Sequence, residues 1–326
     1  MNNLLDHLGQ STIDGIAKGS IYALIALGYT LVYGVLRLIN FAHSEVFMVG
    51  TYGILVTFTT LNVHNYPSLV VAIPLALLGL VVGGVASGSV ALTVERLAYR
   101  PLRRKNAPPL IFLITAIGLS LLLVETFGFV LPKLLGGVLP SVFGKVRAST
   151  LSVPYLFEKK TVFTIFGTNI DTIQIIVISS AILMMFGLDL FVNRTRYGRG
   201  VRAVAQSPET AALMGINQDR VIMLIFALGG VMAGAAALLW SIRIGNTQST
   251  IGFVLGLKAF TAAVLGGIGN LRGALLGGIV LGVVEVYAAT LTTSAWEDVF
   301  AFVVLVIVLM FRPTGLLGES LGRARA

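Results

Sequence analysis

Glu125 and Glu285 stand inside apolar stretches of this chain of 326 residues, and acidic side chains in such surroundings are its first candidates for chemistry. A carboxylate in hydrocarbon is costly unless a cation, a polar path or a proton satisfies it. Each glutamate therefore pairs with a buried cation, for which Lys258 and Arg243 are available, or lines a translocation path, or carries a proton. Lys18 lies within about one turn of the end of its own apolar run, so its side chain can snorkel to the boundary. A second polar group, Arg37, Asn40, His43 and Glu45, follows the first apolar run directly.

Other chemistries have no residues to carry them. The chain has no cysteine, which removes thiolate nucleophiles, Cys-ligated zinc and Cys-ligated iron-sulfur clusters. Its three histidines, His7, His43 and His64, are scattered without H-E-x-x-H or carboxylate spacing, so no catalytic metal is expected. No G-x-x-x-x-G-K-[ST] phosphate loop and no Gly-x-Ser-x-Gly elbow occur. Gly267-Ile268-Gly269-Asn270 begins like a dinucleotide fingerprint, but Arg272 stands at the third glycine's place and no strand precedes it. The expectation is a chain that is not an enzyme and holds no cofactor; if ATP drives it, a separate subunit hydrolyses the nucleotide.

The elements that position these residues are membrane helices. The chain is 56% hydrophobic and 11% charged, against about 25% charged in soluble domains, and its mean hydropathy is +0.92. A soluble globular protein is excluded. Apolar segments at 15–36, 46–63, 68–92, 110–131, 172–192, 221–240, 253–268, 274–292 and 297–311 are each read as spans of the hydrocarbon core. Lipid offers backbone groups no partners, and the alternation of barrel strands is missing, so the spans are helical. The expected fold is all-α, a polytopic bundle of about 8–9 transmembrane helices forming one domain over 1–326. The segment 253–268 is short and contains Lys258, and reads as a full span or as a broken, re-entrant helix.

Charge sets the orientation. Lys and Arg number 23 against 14 Asp and Glu, and in a membrane chain this excess holds loops in the cytoplasm rather than signalling nucleic acid. The basic run from Arg96 to Lys105, the loop 193–220 with Arg194, Arg196, Arg199, Arg202 and Arg220, and the end with Arg312, Arg323 and Arg325 are all expected on the cytoplasmic side. Nine crossings then leave the N-terminus and the long loop 132–171 outside. Met1 to Gly19 lacks a cationic start and a small-residue cleavage site, so no cleaved signal peptide is expected. Glycines recur one turn apart, as Gly15 and Gly19, Gly79 and Gly83, Gly84 and Gly88, Gly230 and Gly234, then Gly269, Gly273 and Gly277. Small residues at this spacing let helices approach closely in lipid.

Two stretches are more specific. In Gly15 to Glu45, a small-residue span runs into Arg37, Asn40, His43 and Glu45 and then into the next apolar run with almost no loop. Asn40 can cap the second helix, with Glu45 in its positive first turns, giving either a well-capped tight turn or a gate. In Arg196 to Asn217, Ser207 is an N-cap, Pro208 takes the first helical position, Glu209 the first turn, and Gly215 stops the helix. Such a short helix in a cytoplasmic loop suits docking into a groove on a soluble partner, or lies on the bundle.

Glu209-Thr210-Ala211-Ala212-Leu213-Met214-Gly215 resembles the E-A-A-x-x-x-G coupling motif of ABC importer permeases, with Thr210 in place of the first Ala. Tyr29-Thr30-Leu31-Val32-Tyr33-Gly34 and Asn40-Phe41-Ala42-His43-Ser44-Glu45 resemble the LivH-type permeases of branched-chain amino-acid transporters, which usually have Gly where Ser44 stands. Thr261 to Ala274 is similar to a third signature of that family, and the three occur in family order. The resemblance implies an ABC importer permease fold in a bacterial inner membrane, carrying leucine, isoleucine and valine. The implied partners are a second homologous permease, two cytoplasmic ATPase subunits and a periplasmic or extracellular substrate-binding protein. It implies ATPase coupling through Arg202, Pro208, Glu209, Ala211, Ala212 and Gly215, and a turn or gate at Asn40, Phe41, His43 and Glu45. Glu125 and Glu285 are the expected residues of the path. Urea or short-chain amides are the alternative cargo, and an ion-coupled carrier using Glu125 or Glu285 is the alternative class.

Overall fold

Each apolar run becomes a helix because only intrahelical hydrogen bonds satisfy the backbone there. A computed structural model describes residues 2–143, 150–165, 168–312 and 314–318, so Lys145, Arg147, Arg323 and Arg325 lie outside the described residues. The helices are α1 (Asn2–Leu36), α2 (His43–Thr60), α3 (Leu69–Val94), α4 (Arg100–Arg104), α5 (Pro109–Glu125), α6 (Leu131–Leu135), α7 (Pro140–Phe143), α8 (Thr172–Arg194), α9 (Arg196–Gln206), α10 (Pro208–Leu213), α11 (Gln218–Ile244), α12 (Ile251–Gly266), α13 (Leu271–Leu291) and α14 (Glu297–Phe311). A π-helical turn, Glu95–Tyr99, fuses α3 to α4, and another, Thr126–Val130, fuses α5 to α6.

A helix stands at all nine expected segments. Among the described residues, six are long and apolar enough to cross a membrane: Leu8–Leu36, Leu69–Arg104, Pro109–Leu135, Thr172–Arg194, Gln218–Ile244 and Leu271–Leu291. Three are weaker as spans. α2 has 18 residues but starts with His43 and Glu45, while α12 has 16 and α14 has 15, about 24 and 22 Å at 1.5 Å per residue. The architecture is a mostly helical, multi-pass membrane bundle, with small strands that an all-α expectation lacks. In the segment expected as an external loop, β1 (Leu151–Ser152) pairs antiparallel with β4 (Asn246–Thr247), and β2 (Thr161–Ile165) with β3 (Thr168–Asp171).

The core forms around α1 and α11, which are mostly buried, and α1 packs on α13, α11, α12 and α8. Glycines make the closest approaches. A Cβ on Gly278 would lie 2.7 Å from Ala23 Cα, and one on Gly234 would lie 2.6 Å from Gly84 Cα, so α1–α13 and α3–α11 meet backbone to backbone. By contrast α3, α5 and α8 leave Val81, Val85, Ile114, Leu121, Leu183 and Leu190 exposed, as suits lipid or an apolar partner. Gly269 serves differently from the packing glycines: with Gly267 it adopts positive φ, 98° and 106°, in the tight turn from α12 to α13. The segment 314–318 is pinned there, Leu316 and Leu317 donating their N–H groups to Leu265 and Gly266 carbonyls at 2.8 and 3.0 Å.

Candidate functional site

Ser207 starts α10 as its chemistry demands, its Oγ accepting the Thr210 N–H at 3.3 Å with Pro208 in the first turn. Gly215, at φ +82°, ends the turn in the left-handed region that glycine enters without steric cost. Glu209, Ala212 and Gly215 are exposed, whereas Ala211 is buried against the bundle and presents no docking surface. Leu213 and Met214 are the most exposed apolar residues here, at 88% and 79%. Their spacing beside Ala212 could have flagged an apolar docking tip. Arg202 is turned back, its Nη1 donating to the Val192 carbonyl at 2.6 Å, so it fastens α9 to the end of α8. Val201 and Val204 of α9 face the bundle.

One end of the bundle gathers these parts. A cavity of about 440 Å³ is lined by Leu36 at the end of α1, Tyr99, Arg103 and Phe112 from the α3–α5 connection, and Val204, Pro208 and Ile222 from the α9–α11 connection. Asp219, in the first turn of α11, joins the two connections: it accepts from Arg100 Nη2 at 2.7 Å, from Arg103, and from Arg104 Nη2 at 3.3 Å. Arg103 reaches on to the fully buried Glu95 at 3.3 Å. The basic run and the α10 loop are therefore one mechanical unit.

The family-signature turn closes differently from a simple cap. The Asn40 side chain accepts the Ala42 N–H at 3.1 Å, one residue ahead of α2, and it is the Asn40 main-chain carbonyl, not the side chain, that accepts the first N–H of the helix, that of His43, at 3.1 Å. Glu45 is fully buried, its Oε1 accepting from Ser120 Oγ at 3.1 Å and Ser44 Oγ at 3.4 Å. Gly252 and Gly256 let α12 lie over this point, since a Cβ on either would collide with Glu45 or Ser44. His43 is buried edge-on to Tyr29, ring centroids 4.9 Å apart, and Phe41 packs 5.6 Å from Phe260. Glu45 Oε2, His43 Nε2 and the Tyr29 hydroxyl, the last beside Ser44, have no partner of hydrogen-bond geometry.

The two intramembrane glutamates separate. Glu285 is fully buried where α1, α12, α13 and α14 meet, 3.1 Å from Lys18 and 3.0 Å from Lys258, and it accepts the Tyr22 hydroxyl at 2.8 Å. Lys18 also reaches Glu297 at 2.5 Å and Lys258 reaches Asp298 at 2.6 Å. Lys18 thus turns to carboxylates of α13 and α14 rather than extending along its own helix to a boundary. Arg243 is spent elsewhere, on the Asp14 carbonyl at 3.2 Å. Glu125 is exposed at the last residue of α5, outside this cluster.

Residues 11–309 match the family described as branched-chain amino acid transport system, permease component. The high-affinity branched-chain amino acid transport system permease protein BraD of Pseudomonas aeruginosa is 41% identical over 317 residues, 96% of each chain. The corresponding permease protein LivH of Escherichia coli K12 is 38% identical over 313 residues, 95% of each chain. A probable branched-chain amino acid transport permease protein LivH of Methanocaldococcus jannaschii is 27% identical over 97% of this chain and 95% of its own. No solved structure matches.

Proposed function

This chain belongs to the permease-component family of branched-chain amino acid transport systems, and on that premise we propose that it forms the membrane path of an ATP-driven importer of leucine, isoleucine and valine. The observation that carries the reading is α10, an exposed one-to-two-turn helix at the end where Asp219 ties the α3–α5 and α9–α11 connections together. With no phosphate loop in the sequence, the energy enters from outside the chain, and α10 is the part shaped to receive it.

In this reading the α10 end faces the cytoplasm and 132–171 faces outward, in a bacterial inner membrane. Two ATPase subunits grip Glu209, Ala212, Leu213, Met214 and Gly215, with Pro208 fixing the helix start. Arg202 and Ala211 act from behind, holding α9 and α10 to the bundle. A second homologous permease completes the path, and a substrate-binding protein delivers cargo at the opposite end. ATPase closure shifts the balance between outward- and inward-facing arrangements through contacts that differ in the two states. The signature turn at Asn40, Phe41, His43 and Glu45 is the gate. α2, α12 and α14, the three shorter helices, complete a count of nine crossings.

A proton-coupled carrier fits less well, because Glu285 already has two ammonium partners and a phenol donor. Cells lacking the gene, and the same cells complemented, test the reading by uptake of radiolabelled leucine with isoleucine, valine, urea and acetamide as competitors. Restored leucine uptake suppressed only by the branched-chain competitors supports it. Restored urea or acetamide uptake without leucine uptake overturns the cargo.

A further inference from the structure

Between α1, α2, α5 and α12 lies a cavity of about 190 Å³, bounded by Ile117, Leu121 and Leu257 on its apolar sides and by Tyr29, Ser44 and Ser120 at its polar end. It is smaller than the 300–1,000 Å³ typical of drug-sized sites and equals the volume of about six waters, a space for one small metabolite. Ile117 and Leu121 are exposed at its rim, so it opens on the α5–α12 face rather than being sealed in the core. Among the described residues, no charged side chain lines it.

The polar end has a defined sense. Ser120 Oγ donates to Glu45 Oε1, and Ser44 Oγ donates to the Phe41 carbonyl at 2.7 Å or to Glu45, so both hydroxyl protons point away from the cavity. Their lone pairs are left facing it, backed by a fully buried carboxyl group with one oxygen unpartnered. An acceptor-only wall of this kind recognises N–H donors. The Tyr29 hydroxyl, lacking a partner of good geometry, is the one group at this end free to donate to a ligand oxygen. Opposite them, three aliphatic side chains offer a surface for a branched hydrocarbon.

We propose that this cavity is a substrate-holding site within the path, taking an aliphatic amino acid with its ammonium on Ser44 and Ser120 before Glu45, its carboxylate on Tyr29, and its side chain against Ile117, Leu121 and Leu257. The inference rests on the transport reading above and places its cargo at named atoms. Glu45 acts through Ser120 as a positioning residue and fixes the direction of its proton, while the Phe41 carbonyl holds that of Ser44.

Because the chain has no cysteine, an introduced thiol is the single labelling site on this subunit, read on its own band after the subunits are separated. In the assembled transporter in proteoliposomes, Ser120→Cys is labelled by a small cationic methanethiosulfonate, with Lys159→Cys, exposed in the 132–171 segment, as the control. Leucine at saturating concentration should slow labelling at Ser120→Cys by about tenfold, the effect of a site about 90% occupied, and leave Lys159→Cys unchanged. A rate at Ser120→Cys unaffected by leucine, in a variant that itself takes up leucine, overturns the site while leaving the transport reading intact; should Ser120→Cys take up none, the same protection measured at Phe253→Cys on the cavity rim decides it in the same way. Absence of leucine uptake by the unmodified transporter overturns the transport reading itself. As a second variant, Leu257→Phe fills the apolar side and should raise the KM for leucine at least fivefold more than that for valine, the smallest of the three proposed cargoes. Equal changes for both overturn the assignment of the aliphatic wall.

Discussion

Replacing Glu285 with leucine should be among the most damaging single changes in the bundle. Glu285 is wholly buried and answers three donors: Lys18 at 3.1 Å, Lys258 at 3.0 Å and the Tyr22 hydroxyl at 2.8 Å. Removing one partner of a buried ion pair costs about 3–5 kcal/mol when the remaining charge is stranded. Here each lysine keeps a second carboxylate, Glu297 for Lys18 and Asp298 for Lys258, so the ionic part falls to about 2 kcal/mol. Tyr22 is left without an acceptor in the core, adding about 1–3 kcal/mol. The sum is about 3–5 kcal/mol for Glu285→Leu, and about 1–2 kcal/mol for Glu285→Gln, which still accepts from Tyr22. Adding Lys258→Met to Glu285→Leu should cost less than the two separate losses together, by about 1–3 kcal/mol, because Asp298 is half exposed and returns to water. Unfolding of the purified protein in mixed micelles by dodecyl sulfate, followed by the fluorescence of Trp240 and Trp296, measures these differences. A Glu285→Leu variant within about 0.5 kcal/mol of the unmodified protein, or strict additivity in the double variant, refutes the buried-cluster reasoning.

Glu209→Arg and Gly215→Asp should each abolish ATP-dependent uptake while leaving membrane insertion intact, and unimpaired uptake in either would remove α10 as the coupling element. Gly278→Leu and Gly234→Leu force side chains into backbone contacts of 2.7 and 2.6 Å and should destabilise the bundle by about 1–3 kcal/mol or more, read in the same micelle titration. Asp219→Leu removes the carboxylate that holds three arginines, and limited trypsin digestion should then cleave after Arg103 or Arg104 several-fold faster than in the unmodified protein. Unchanged digestion would show that the 100–105 turn is held by other contacts.

Helix positions were legible in the sequence because each apolar run had only one way to satisfy its backbone in lipid. The Ser207 cap and the Gly215 stop were legible for the same local reason, since both depend on residues within one turn. Pairings across the fold were not. Lys258 was foreseeable as a partner of Glu285, but nothing in the sequence near Lys18 announces a carboxylate 267 residues away, and its place near the start of the apolar run 15–36 suggested the boundary, whereas α1 begins well before that run. Arg243 likewise finds Asp14, 229 residues away. Strands as short as Leu151–Ser152 and Asn246–Thr247 carry no periodicity and exist because the helices bring them together. The inward face of Ala211 and the backward turn of Arg202 were hidden too, since the motif gives residue types but not the angle at which α10 meets the bundle. Glu45 was recognised as a polar residue at a turn; that two serines from different helices align on it required the packing of α5 and α12 over α2.

The most direct test of ATP-driven branched-chain amino acid import is uptake by the purified transporter in proteoliposomes, with ATP held on the α10 side, no ion gradient, and its binding protein on the other. Accumulation of labelled leucine that persists with an uncoupler, stops without ATP, and is competed by isoleucine and valine but not by urea or acetamide is the expected result. Uptake that ignores ATP and collapses with the uncoupler would contradict the account.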